Sequence, residues 1–159
     1  MSIVKLIDYE EAGPEVRQVY DDIMATRGTD WVNNFWKALA LQPELLRRTW
    51  AGVKAVMAPG VLDPLTKEMI YIAVSATNSC DYCTNSHTAA ARSKGMTDEM
   101  LSELMAVVGM ANQTNALANG CQVDVDSAFR SGGLNSELTN QPRQHRSTST
   151  RPCPTPSPI

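Results

Sequence analysis

From Pro14 to Gly120, apolar positions recur at three- and four-residue intervals, the period of helices that bury one face. Pro14 sits where a first-turn proline belongs, Val16, Val19, Tyr20 and Ile23 follow along one side, and Gly28 supplies a stop. A short second helix carries Phe35, Leu39 and Ala40. Pro43 opens a third, in which Leu45, Leu46, Trp50, Val53 and Met57 line one side up to Pro59-Gly60. Asp63-Pro64 places a capping side chain before a proline at the first helical position, so a fourth helix runs through LTKEMIYIAVSATNS. Ser79 or Asp81 is positioned to cap a fifth, YCTNSHTAAARSK, which Gly95 ends. Thr97 caps a sixth, with Met100, Leu101, Leu104, Met105 and Val108 at helical spacing and continuation to Gly120. No segment sustains the period-two alternation of a strand, so the expected fold class is all-α.

Past about Ser131 the pattern stops. SGGLNSELTNQPRQHRSTSTRPCPTPSPI has only Leu134, Leu138 and Ile159 as large aliphatics, too little apolar surface to offset the entropy of ordering it. The expected organisation is a helical domain over 1–130 and a Pro/Ser/Thr-rich, disordered tail over 131–159. With 159 residues and 43% apolar residues the first part can bury a core of its own. A net charge of -3 with no basic cluster argues against nucleic-acid and membrane partners. The opening MSIVKLIDYEE turns acidic without an apolar h-region, and no apolar run approaches the ~20 residues of a bilayer span. The expected location is the cytoplasm.

In that setting the four cysteines look like chemistry rather than staples. Cys80 and Cys83 stand at CxxC spacing, whereas Cys121 and Cys153 are isolated, Cys121 being expected as a small buried hydrophobe. On the fourth helix Leu65, Met69, Ile72, Ala73 and Ala76 form one stripe, and Glu68 points into its middle. A carboxylate there needs a partner, or it protonates; a pKa raised by burial would make Glu68 a proton acceptor. On a continuous fifth helix Cys80, Cys83 and His87 share one sector of one face, which Ala90 and Ala91 mark as inward. Thiols react as thiolates, favoured by a helix N-terminus and by a nearby base. The dipole favours Cys80 as nucleophile and proximity to His87 favours Cys83. A CxxC pair can also be half of a zinc site, but only His87 and Glu68 are available to complete it. Trp31, Phe35, Trp36 and Trp50 either wall an organic substrate site or fill the core, the commoner role of aromatics at helical spacing.

The pattern Glu68-x11-Cys80-x2-Cys83-x3-His87, within NSCDYCTNSHTAAARSKGMTDE, resembles the alkylhydroperoxidase D branch of the carboxymuconolactone decarboxylase superfamily. The likeness extends over about residues 8–126, including PELLRRTW, and excludes the tail. It implies an all-helical fold and a symmetric homo-oligomer (trimer or hexamer); no cofactor or metal is expected. It implies further that Cys83 attacks a hydroperoxide to give a sulfenic acid, that Cys80 resolves it as a disulfide, and that His87 and Glu68 serve a proton relay. An external dithiol or thiol-protein reductant would then restore the thiols. The best-known members carry a second His between the cysteines, where this chain has Tyr82; a phenol is a poor base near neutral pH, although its hydroxyl can pass a proton by hydrogen bond. Two alternatives remain: a lactone decarboxylase, a reaction that calls for no vicinal dithiol, and a non-catalytic thiol redox sensor.

Overall fold

The computed structural model describes residues 2–130, and the expected tail, with Cys153 and His145, lies outside them. Seven helices make up the regular structure of the described residues, with no strand among them: α1 Pro14–Arg27, α2 Asn34–Leu39, α3 Pro43–Met57, α4 Pro64–Thr77, α5 Asp81–Ser93, α6 Asp98–Gly120 and α7 Ser127–Arg130. The all-α expectation holds, and α1, α3 and α4 each carry proline in the first turn, as their sequences predict. No helix among these residues is long and apolar enough to cross a membrane.

The helices gather around two cores that have no buried residue in common. In the first, α1 and α2 pack on α3, with Tyr20, Ile23, Trp36, Leu46 and Trp50 buried at its centre. Tyr20 donates to the Ile7 carbonyl at 2.9 Å, and Trp50 Nε1 donates to Asp22 at 2.6 Å, so both polar tips of these aromatics are satisfied. In the second, α4 packs on α5 and α6 around Ile72, Ala91 and Met96, with Leu65, Met69, Met100, Leu101 and Leu104 half-buried against them. The stripe expected on α4 is therefore its packed face, while Ile70 and Val74 on the other side are exposed.

How α4 gives way to α5 decides where the cysteines stand. Ser79 adopts a left-handed conformation (φ 55°). Its N–H bonds back to Ala76 O at 3.2 Å, and the N–H of Cys80 to Ser75 O at 2.9 Å. This is a Schellman ending, with serine in the place usually held by glycine. α5 begins two residues after Ser79, at Asp81, so Cys80 is both the last residue of one helix's closure and the N-cap of the next. The expectation that Ser79 or Asp81 would cap α5 is thereby corrected. Ser79 is committed to closing α4, Asp81 is already in the first turn, and the Cys80 sulfur accepts from the Cys83 N–H at 3.3 Å. The same ending recurs after α5, where Gly95 (φ 95°) lets Met96 fold back onto Ala91.

The far half of α6 is largely exposed among the described residues. Val108 is its one buried residue; Asn112 reaches Thr77 at 3.3 Å, and beyond that Leu117, Val123, Val125 and Phe129 are exposed. Cys121, expected as a buried hydrophobe, lies here and is exposed, because this part of the chain runs past the second core instead of through it.

Candidate functional site

Helices α4 and α5 bring four of the five predicted residues together. Cys80 and Cys83 are joined by a disulfide, their Cα atoms 5.4 Å apart, and both are half-buried at the N-terminus of α5. His87 lies one turn after Cys83 on the same helix. Its Nδ1 is 2.6 Å from Oε2 of Glu68, which reaches it from α4 and is only 6% exposed. A neutral imidazole holding that contact carries its proton on Nδ1 and leaves Nε2 as the basic nitrogen.

Two residues that the sequence reading passed over complete the arrangement. Tyr71, one turn after Glu68 on α4, stacks its ring on His87 with centroids 3.7 Å apart and an interplanar angle of 18°. Lys94, the C-cap residue of α5, donates to the second oxygen of Glu68 at 3.0 Å. Tyr71 was accessible as an i+3 neighbour of Glu68; Lys94 follows His87 by seven residues, two turns, and so lies on the same face of α5. What periodicity does not reveal is that both meet one carboxylate. Burial works to raise the Glu68 pKa, but the contacts with His87 and Lys94 outweigh it, and the group is held below its ordinary value. The expected route in which burial raises Glu68 into a proton acceptor is thus corrected: it is a paired carboxylate.

Tyr82 stands apart from this cluster. It is 44% exposed and turned toward the first core, its hydroxyl accepting the Phe35 N–H of α2 at 3.1 Å and its ring 6.3 Å from that of Phe35. Of the four aromatics considered for a substrate wall, Trp36 and Trp50 belong to the core, Trp31 is exposed, and Phe35 alone touches a site residue. Arg27 lies over both core indoles, 5.6 and 5.5 Å from their centroids. Lost hydration holds its pKa below the usual arginine value, against the opposing pull of Glu68. A groove of about 860 Å³ between α1 and α3 is lined by Asp22, Trp50 and Lys54 among others and includes none of the five predicted site residues. Among the described residues, no three His, Cys, Asp or Glu side chains converge to hold a metal ion.

Residues 43–126, more than half of the chain and the whole of α3 to α6, match the model of the carboxymuconolactone decarboxylase family. The chain belongs to that family. Within it, the chain is alkylhydroperoxidase D-like: it is similar to the crystal structure of the alkylhydroperoxidase AhpD core from Rhodospirillum rubrum, with 57% identity and a TM-score of 0.79, over 82% of this chain and 98% of that one. It is also 33% identical over 78 residues to a Paracoccus denitrificans protein described as uncharacterized protein 4 in the cox locus, spanning 45% of this chain and 70% of the relative. The family match covers Glu68, Cys80, Tyr82, Cys83 and His87 and stops short of the tail.

Proposed function

We propose that the chain is a thiol-dependent peroxidase that reduces organic hydroperoxides through Cys80 and Cys83. The observation that carries this reading is a cysteine pair at a helix N-terminus with a carboxylate-held histidine one turn further on. Helix N-termini favour thiolates, and the histidine provides a place for the proton to go. In the first step the Cys83 thiolate attacks the terminal peroxide oxygen. The O–O bond breaks, the alcohol leaves with a proton supplied through His87, and Cys83 becomes a sulfenic acid. In the second, Cys80 attacks that sulfur, water leaves, and the disulfide forms. An external dithiol then transfers two electrons and two protons and is itself oxidised to a disulfide. Because the Cys80 sulfur accepts the Cys83 N–H, Cys80 is the better-stabilised leaving thiolate, which directs the reductant to Cys83. Tyr82, occupied with the Phe35 amide, fits a role in shaping the mouth of the site rather than in moving the proton.

A dithiol-driven cycle fits a reducing compartment, hence the cytoplasm. Exposed Ile70 and Val74 on α4 and Met105, Val107, Met110 and Leu117 on α6 favour a homo-oligomer that covers them. The test is a thiol count. Reduced protein freed of reductant receives one equivalent of an organic hydroperoxide, and mass spectrometry maps the cysteines after free thiols are blocked. The expected product has a Cys80–Cys83 disulfide; Cys83→Ser abolishes it, and Cys80→Ser leaves a trappable sulfenic acid. Repeated peroxide consumption with a dithiol separates an enzyme from a sensor that oxidises once. Thiols still free after minutes would overturn the reading.

A further inference from the structure

Lysine at the end of a helix has an ordinary explanation, since a cation there complements the exposed carbonyls, and Lys94 Nζ does lie 3.3 Å from Ala90 O. That explanation does not require the ammonium to reach across to α4, yet it lies 3.0 Å from Oε1 of Glu68. The carboxylate therefore has one donor on each oxygen, His87 on Oε2 and Lys94 on Oε1, and little access to water with which to replace either. Charge counting gives the ammonium its second role. With Lys94 present, the buried carboxylate is already compensated and the imidazole can stay neutral. Without it, a proton on His87 is the nearest remaining compensation. A charged imidazole cannot accept a thiol proton.

We propose that Lys94 is a positioning residue of the thiol relay, holding Glu68 so that His87 stays neutral with its Nε2 as the basic nitrogen. The inference rests on the peroxidase reading of the site. The other groups around the ring do not substitute for the ammonium. From α4, Tyr71 offers a ring face, not a charge. From α5, Cys80 and Cys83 supply sulfur, and Tyr82 is bonded to Phe35. From α6, Asp98 is taken by Arg92 at 2.6 Å. From α1, Arg27 is within electrostatic range of Glu68 but makes no hydrogen bond to it among the described residues, stacking instead on Trp36 and Trp50.

The chain has two histidines, so nitrogen-15 spectra of reduced, full-length protein read two rings, with His145 as internal reference. At neutral pH the reduced wild type should show His87 with one protonated and one bare nitrogen. Lys94→Met and Lys94→Gln should both show a larger charged fraction at His87 and an unchanged His145. Alkylation of Cys83 by iodoacetamide should follow, its pH profile moving downward, because an imidazolium beside a thiol favours the thiolate. Lys94→Arg, which keeps the charge, should restore the wild-type profile. A purely structural role for Lys94 would lower stability without moving either readout. Superimposable His87 spectra and alkylation profiles in wild type and both neutral variants would overturn the proposal. Neither readout uses a peroxide, so failure of the hydroperoxide reaction with the His87 response intact would remove the peroxidase reading and leave the Lys94 coupling standing.

Discussion

Replacing Glu68 by glutamine keeps the shape of the side chain and removes its charge. In the wild type two donors share the carboxylate, His87 at 2.6 Å and Lys94 at 3.0 Å, in a position 6% exposed. An amide presents one oxygen and one N–H2, so it can serve one of those donors and must face the other with hydrogens. One charge-assisted hydrogen bond is lost, worth about 1.5–3 kcal/mol. Lys94 can swing partly into water, which places the expected loss toward about 2 kcal/mol. Urea unfolding of the oxidised protein at fixed concentration, followed by circular dichroism, measures it. The pH dependence supplies a second check with a definite sign. Glu68 titrates below its ordinary value of 4.5, so its contribution is complete above that pH and is lost as the pH falls through the lower folded value. The gap between wild type and Glu68→Gln should be flat near neutrality and close as acid protonates the wild-type carboxyl. A gap under about 0.5 kcal/mol at pH 7, far below a charge-assisted hydrogen bond, would refute the reasoning, as would one that persists unchanged into acid.

Three further outcomes follow from the packing. Ser79→Val puts a β-branched residue at φ 55°, where β-branching is tolerated worst, and this should appear as a lower denaturation midpoint, with slower Cys80–Cys83 closure in thiol mapping. Ile72→Ala empties a fully buried position of the second core and should cost about 2–5 kcal/mol by the same unfolding assay. On the proposed homo-oligomer, Met110→Glu combined with Leu117→Glu should shift the sedimenting species to smaller mass without loss of helical signal, because both side chains are exposed on the far half of α6.

Much of this architecture can be read directly from residue order. Prolines at 14, 43 and 64 mark helix starts because a ring that fixes φ and lacks an N–H costs nothing in a first turn. The spacing from Glu68 to His87 places the site, because α4 and α5 each present one face and the turn between them is short. Sequence periodicity fails where a residue's role depends on a second helix or on what its neighbour has already done. Ser79 looks like a cap until its backbone is needed to finish α4, and the role passes to Cys80. Glu68 looks like a carboxyl pushed up by burial until Lys94 arrives from the far end of α5. Cys121 looks apolar enough for a core, but α6 outruns the core that would have taken it.

The two cores meet along a thin seam. Tyr82 hydrogen-bonds to Phe35 across it, and Lys67 reaches the Val56 and Ala58 carbonyls at 2.8 and 2.5 Å. Regions joined by a few exposed bonds open at lower free energy than the cores on either side. Hydrogen exchange should therefore divide the chain into two cooperative blocks, α1–α3 and α4–α6, with the Phe35 amide exchanging ahead of the amides around Ile72. The cysteine pair is carried by the second block, and Tyr82, between the two cysteines in sequence, meets Phe35 of the first. On the proposed cycle, a transient parting at Phe35 and Tyr82 would release Tyr82 beside the disulfide as the external reductant docks, while the hydrogen bonds that hold His87 to Glu68 and Glu68 to Lys94 stayed closed.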